Sequence, residues 1–108
     1  MDFDLHTVTE GDVTRISLHG EFDLSVVPRV EDELRRVEAD APPTLVLDLS
    51  GLEFMDSSGL RSVVTADDRA RAAGRRFVVV NGPEAVQRVF EITKVDERIE
   101  LVADASAV

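Results

Sequence analysis

The chain has 108 residues, no cysteine, and 22 acidic against 12 basic residues, so its formal net charge is −10 at pH 7. This length predicts one compact domain, and the absence of cysteine excludes disulfides and thiolate metal sites. The negative charge argues against nucleic acid or an anionic membrane as a direct partner, and five phenylalanines as the only aromatics offer no platform for stacking bases.

Residues 3–22 predict two strands and a turn, followed by a helix. Apolar and polar residues alternate on both sides of Glu10-Gly11-Asp12, which is typical of a hairpin with one buried face. We expect Ser25 to be the N-cap of the helix and Pro28 to lie in its first turn. The inward stripe is expected to be Val26, Val27, Val30, Leu34 and Val37. Two i,i+4 ion pairs are expected on its outer face, Glu31 with Arg35 and Asp32 with Arg36.

The next predicted element is a central strand at Leu45–Leu49. This apolar run is bounded by Pro42-Pro43 and Ser50-Gly51, as expected for a short strand that is covered on both faces. The loop after it ends in Asp56-Ser57-Ser58-Gly59. Two hydroxyls and a carboxylate therefore collect where a second helix starts, and the free backbone N–H groups of a helix start suit a capping oxygen or an anion.

The second helix is predicted from about Ser57 to Ala73, with Ser57 as N-cap and Gly74 at a left-handed C′ position. The side chains expected against the sheet are Leu60, Val63, Val64, Ala66, Ala70 and Ala73. On the opposite face, helical spacing groups residues that begin at the serine turn: Ser58, Arg61, Ser62, Thr65 and Arg69.

The last third of the chain predicts a strand at Phe77–Val80, a third helix and a short strand or edge segment at Ile99–Val102. Asn81-Gly82-Pro83 ends the first of these strands and begins the helix with Pro83 at N1, and residues 104–108 are expected to fray. Helix crossovers between apolar strands require parallel pairing. The sequence therefore predicts an α/β fold with a mixed sheet that opens with an antiparallel hairpin and has helices packed on it.

Three motifs resemble those of a known family. They are Gly20-Glu21-Phe22-Asp23, the stretch Leu45-Val46-Leu47-Asp48-Leu49-Ser50-Gly51-Leu52, and Phe54-Met55-Asp56-Ser57-Ser58-Gly59-Leu60. In this order and at this spacing they resemble the STAS domain of bacterial anti-sigma factor antagonists. The resemblance covers nearly the whole chain, so we expect residues 1–108 to form a single STAS domain.

The resemblance implies a regulatory binding protein rather than an enzyme, without a cofactor. In that family, the anti-sigma factor is itself a serine kinase that phosphorylates the second serine of the turn, which places the acceptor at Ser58. The unphosphorylated protein binds the anti-sigma factor and frees the sigma factor, and a metal-dependent serine phosphatase restores it. The residues expected to bind the partner are Glu21, Asp23, Asp56, Ser57, Ser58, Gly59, Arg61, Ser62 and Thr65.

The expected switch is electrostatic. A phosphoryl group adds nearly two negative charges, and we expect it to join an acidic rim formed by Glu21, Asp23, Glu53 and Asp56. A partner built to approach the unmodified turn would then be repelled, because like charges facing each other at an interface cost on the order of several kcal/mol. Phosphorylation is therefore expected to change binding rather than folding.

Two other functions compete with this one. A non-phosphorylated STAS scaffold or adaptor, in a stress-signalling or transporter-associated complex, would dock a constant partner on the same helix face. A serine-nucleophile enzyme is disfavoured because the chain has no Gly-x-Ser-x-Gly elbow, no histidine near the turn in sequence and no Gly-rich phosphate loop. His6 and His19 are expected to be ordinary strand residues.

A cytoplasmic location is expected. No apolar run approaches the length of a transmembrane helix, and Met1-Asp2-Phe3-Asp4 lacks the basic start of a signal peptide.

Overall fold

A computed structural model describes residues 3–108, so Met1 and Asp2 lie outside the described residues. Within them, one five-stranded sheet is built from strands that alternate with helices after an opening hairpin. The strands are β1 Phe3–Glu10, β2 Val13–Phe22, β3 Thr44–Met55, β4 Arg76–Val80 and β5 Glu100–Val102, and the helices are α1 Val27–Ala39, α2 Ser57–Ala73 and α3 Glu84–Thr93.

The sheet has the predicted mixed topology. Its strands lie in the order β1-β2-β3-β4-β5, with β1 antiparallel to β2 and the other three pairings parallel. The hairpin brings Glu10 opposite Val13, and Gly11 in the turn has a φ of 60°, a left-handed conformation that glycine adopts without strain. Each parallel pair is connected through a helix, which confirms the α/β fold class.

All three helices pack on the same face of the sheet. On β3 the alternation of side chains sends Leu45, Leu47 and Leu49 into the core that the helices cover, and Val46 to the other face. There Val46 joins Val78 and Val80, and Ala105 of the C-terminal segment packs against them. The central strand is therefore covered on both faces, as predicted. The expectation that residues 104–108 fray is wrong, because Ala105–Ala107 form a short 3₁₀ turn.

The strand β3 is longer than predicted and continues to Met55. Ser50-Gly51 does not end it, because pairing with β2 is maintained through two register shifts, one between Ser17 and His19 and one between Gly20 and Glu21. Each shift inserts an extra residue on β3, as in a β-bulge. The six residues expected to form a loop after Leu49 are therefore strand, and they carry the chain to the start of α2.

The helix α1 starts later than predicted. Ser25 is not its N-cap: that position is Val26, whose apolar side chain forms no capping hydrogen bond. Asp23 instead caps a 3₁₀ turn over Leu24–Val26 ahead of α1, where its carboxylate accepts the Ser25 N–H at 3.0 Å. The predicted inward stripe is confirmed, with Val30, Leu34 and Val37 buried and Val26 and Val27 partly buried.

Ion pairs on α1 differ from the two predicted i,i+4 pairs. Arg36 binds Glu33, with 2.6 Å between Nη2 and Oε2, and Glu31 faces Arg69 of α2. Two details of the other helices also differ: Ala73 is exposed instead of facing the sheet, and Pro83 occupies the N-cap of α3 rather than N1.

Candidate functional site

The serine turn begins α2 through a carboxylate cap. Asp56 is extended, and its Oδ1 accepts the backbone N–H groups of Ser58 at 2.9 Å and Gly59 at 3.0 Å. The prediction that Ser57 is the N-cap is therefore wrong, and Ser57 and Ser58 are the first two residues of the helix. Because Asp56 already uses two of the N–H groups of the first turn, those two are not free for an anion.

The start of α2 is held against the end of β2. The Asp56 N–H donates to the carbonyl oxygen of Phe22 at 3.2 Å. A Cβ atom added to Gly59 would lie 2.8 Å from that same oxygen and 2.8 Å from Cγ of Met55. Only glycine therefore fits at position 59 without a shift, and this contact places the Gly20–Asp23 motif beside the serine turn.

A groove between α1 and α2 brings together five of the nine predicted partner-binding residues. Ser58 is partly buried in it, while Ser57 is exposed. The residues that line the groove are Ser57, Ser58, Arg61, Ser62 and Thr65, which were predicted, and Leu24, Val27, Glu31, Arg35 and Arg69, which were not predicted as partner-binding.

The hydroxyl of Ser58 differs from those of three other serines in the same local context. Four serines lie two residues after an aspartate: Ser25, Ser50, Ser58 and Ser106. In each of them the backbone N–H donates to that aspartate. The hydroxyl does so as well in Ser25, Ser50 and Ser106, whereas the Ser58 hydroxyl makes no hydrogen bond within residues 3–108. Ser58 thus presents an unused oxygen to the groove.

The charges of the groove are unevenly paired. Arg69 donates to Glu38, with Nε 2.8 Å from Oε1, and its Nη1 lies 3.5 Å from Oε2 of Glu31. Arg35 and Arg61 form no ion pair with any residue of the described part of the chain and are exposed. At the mouth of the groove, Leu24 exposes 69% of its surface.

The four acids of the expected rim each have contacts of their own. Glu21 and Glu53 line a different depression together with Arg29, and Asp56 is committed to capping α2. Asp23 caps the 3₁₀ turn, and the hydrogen bond from the Ser25 hydroxyl lowers the pKa of its carboxyl, with smaller contributions from backbone N–H groups. Of these four acids, Asp56 is the one that hydrogen-bonds to Ser58.

Sequence reasoning missed the contribution of α1 and misplaced one of the predicted partner-binding residues of α2. Ser62 was expected on the outer face, but it is buried, with 5% of its surface exposed, since α1 covers this side of α2. The sequence signal for the α1 side of the groove was Leu24. This apolar residue directly follows the Gly20–Asp23 motif, and the core does not bury it. Arg35 carried no such signal, because its position beside α2 depends on how the two helices pack.

Two further expectations concern membranes and metals. Within residues 3–108, no helix combines the length and the apolar character that crossing a membrane requires. In the same residues, no three His, Asp or Glu side chains converge on a point where a metal ion could bind. The rings of His6 and His19 pack edge to face, 5.6 Å apart, on neighbouring strands.

Comparison with known proteins identifies the family. The model of the STAS domain matches residues 4–107 of this chain. The chain belongs to the STAS domain family. A similar STAS protein from Mycobacterium tuberculosis, named anti-sigma-F factor antagonist RsfB, is 32% identical over 98 residues, which cover 88% of this chain and 80% of that protein.

Solved structures of STAS proteins have the same fold. An anti-sigma factor antagonist from Mycobacterium paratuberculosis superposes with a TM-score of 0.89 at 30% identity, over 98% of this chain and 90% of that one. The Bacillus anti-sigma factor antagonist SpoIIAA, in its unphosphorylated form, superposes with a TM-score of 0.78 at 25% identity, over 98% and 92% of the two chains. These comparisons confirm the resemblance that the three motifs carry.

Proposed function

We propose that this STAS domain is an anti-sigma factor antagonist that is switched by phosphorylation of Ser58. The unphosphorylated form binds an anti-sigma factor that is also a serine kinase, and the sigma factor is released. Phosphorylation of Ser58 ends this binding, and a metal-dependent serine phosphatase restores it. The observation that carries the proposal is the Ser58 hydroxyl, which lines the α1–α2 groove without a hydrogen bond. The names of the similar proteins support the function.

The position of Ser58 also suits a switch that leaves the fold intact. Ser58 contributes its N–H, and not its side chain, to the helix cap. A phosphoryl group would add close to two negative charges at the positive end of the α2 dipole, which favours anions. It would also lie near the Asp56 carboxylate, which opposes it. These two effects have opposite signs, and the hydroxyl makes no hydrogen bond within the described part of the chain, so the main change falls on the surface offered to a partner.

Three forms of the protein test the switch. Ser58→Ala removes the acceptor and should fold normally, resist phosphorylation and bind the anti-sigma factor constitutively, since alanine is a good helix residue. Ser58→Asp should bind more weakly than Ser58→Ala, but less weakly than the phosphorylated parent, because it adds only one charge. Incubation with ATP and the anti-sigma factor, followed by mass mapping of phosphoserine and binding titrations, measures both properties.

Ser57→Ala is the matched control for the acceptor, because it removes the neighbouring hydroxyl and should leave Ser58 open to phosphorylation. If Ser58→Ala, Ser58→Asp and the phosphorylated parent all bound the partner with one affinity, the switch would be excluded. The scaffold function, with a constant partner on the same groove, would then be the better account.

A further inference from the structure

The α1–α2 groove carries positive charge on a strongly acidic protein. Three arginines and one glutamate line it, whereas the whole chain has a formal net charge of −10. Arg69 lies between Glu31 and Glu38, so these three side chains together carry one negative charge. The excess positive charge of the groove therefore resides on Arg35 and Arg61, neither of which has an ion-pair partner within residues 3–108.

The groove also has a direction. The strands β2, β3 and β4 are parallel, so α1 and α2, which connect them, run the same way along the sheet. Ser58 lies in the first turn of α2, and Arg69 lies three turns further on. At a rise of about 1.5 Å per residue the groove is roughly 16 Å long, which is the length of about five extended residues. Leu24 and Val27 are beside the serine end, since α1 begins there.

We infer that this groove binds an acidic segment of a partner protein, with carboxylates of the segment paired to Arg61 and Arg35 and an apolar side chain against Leu24 and Val27. The inference rests on the proposed function for the identity of the partner, which is the anti-sigma factor. Charge complementarity supports it: the protein as a whole, with a net charge of −10, repels an acidic chain, and two guanidinium groups without ion pairs within residues 3–108 attract one to this groove.

The inference gives phosphorylation a specific physical effect. A phosphate on Ser58 would place an anion at one end of the groove, where it repels the carboxylates of the segment. It would also offer Arg61, three residues further along the same helix face, a competing anion within the protein. The groove would thus lose positive charge when Ser58 is modified. This mechanism adds to the acidic rim expected from the sequence, of which Asp56 lies directly beside Ser58.

Charge-reversal variants test the groove. The groove variant Arg35→Glu/Arg61→Glu is compared with the double variant Arg88→Glu/Lys94→Glu, which changes the net charge by the same amount at two exposed residues outside the groove. We expect the groove variant to bind the anti-sigma factor at least about tenfold more weakly than this control does, with a smaller dependence on salt. If the parent bound its partner and the two double variants bound it with equal affinity, the inference would be overturned.

A second measurement does not depend on the proposed function. Backbone amide shifts of the uniformly labelled protein are recorded by NMR with a hexaglutamate peptide, a hexalysine peptide or inorganic phosphate. We expect hexaglutamate alone to shift amides along the groove, at Arg35, Arg61 and Thr65, and to lose this effect in the groove variant. Shifts scattered elsewhere, or the same groove shifts with inorganic phosphate, would overturn the acidic-segment inference. An anti-sigma factor that failed to bind the parent would instead contradict the proposed function, and the peptide measurement would still decide this inference.

Discussion

At the scale of single residues, Asp56 sets where α2 begins. Its carboxylate accepts two N–H groups of the first turn, whereas the Ser57 hydroxyl makes no hydrogen bond within residues 3–108. We therefore expect Asp56→Ala to lower the free energy of unfolding by about 1 kcal/mol, the usual loss when a capping side chain is removed. Ser57→Ala should stay within about 0.5 kcal/mol of the parent. Urea denaturation of both variants measures the difference.

Asp56→Asn is the control for this cap, because asparagine keeps an acceptor oxygen and removes the charge. Its stability should lie close to that of the parent. A larger loss for Ser57→Ala than for Asp56→Ala would return the cap to the serine and contradict the geometry of the turn.

Asp23 is a second residue whose structural and binding roles are separable. Its carboxylate accepts the N–H and the hydroxyl of Ser25, and it follows Phe22, the residue that contacts the start of α2. We expect Asp23→Ala to lose no more unfolding free energy than the usual loss for a capping side chain, and to lose more free energy of binding to the anti-sigma factor. Asp23→Asn keeps the capping acceptor without the charge, so it shows whether the binding effect comes from the charge. If Asp23→Ala lost as much unfolding free energy as binding free energy, the role of Asp23 would be the structure of the loop alone.

At the scale of elements, the contact between α2 and β2 positions the serine turn. A methyl group at position 59 would press on a backbone oxygen of Phe22, which cannot rotate away, at 2.8 Å. Alanine gains about 1 kcal/mol of helix propensity over glycine, but overpacking costs about 1–3 kcal/mol. We expect the overpacking to win, so that Gly59→Ala lowers the free energy of unfolding in urea. Ser57→Ala is the reference variant for this turn. If Gly59→Ala had the same denaturation midpoint as that reference, the contact between α2 and β2 would be looser than in the structure.

The elements themselves were predictable where a local pattern decides them. The alternation in β1 and β2 and the apolar runs of β3 and β4 follow from burial, and these four strands were located correctly. The end of β3 was not predictable, because Ser50-Gly51 resembles a strand terminus. The bulges that let β3 continue depend on its pairing with β2, which the chain does not show locally.

The site was predictable to the extent that a single helix face contains it. The spacing of Ser58, Arg61 and Thr65 on α2 placed them together, and the structure confirms that they line one groove. The α1 wall was missed because packing between helices is not encoded in the spacing of either one. The ion pairs were mispredicted for the same reason, because Glu31 pairs with Arg69 on α2 rather than with Arg35 on its own helix α1.

At the scale of the whole molecule, acidic residues affect stability in two opposite ways. With a net charge of −10 the folded state repels itself at pH 7, and this repulsion relaxes as the pH falls toward the pI of about 4.5. Four carboxyls act in the other direction, because hydrogen bonds hold their pKa below the ordinary value: Arg36 on Glu33, Arg76 on Glu100, Ser25 on Asp23 and Ser106 on Asp104.

The sign of the pH dependence follows from these four pKa values. A carboxyl with a lowered pKa in the folded state stabilises the fold fully above its unfolded value, 4.5 for Glu and 3.8 for Asp, and this stabilisation is lost as the pH falls through the folded value. We expect the free energy of unfolding in urea to hold or rise from about pH 7 to about pH 5, and to fall steadily below about pH 4.5. Glu33→Gln, which removes the carboxyl held by Arg36 and by the Thr7 hydroxyl, should be less stable than the parent at neutral pH and should lose less stability on acidification. If the stabilities of the parent and of Glu33→Gln fell in parallel below about pH 4.5, Glu33 would contribute nothing to the loss of stability in acid.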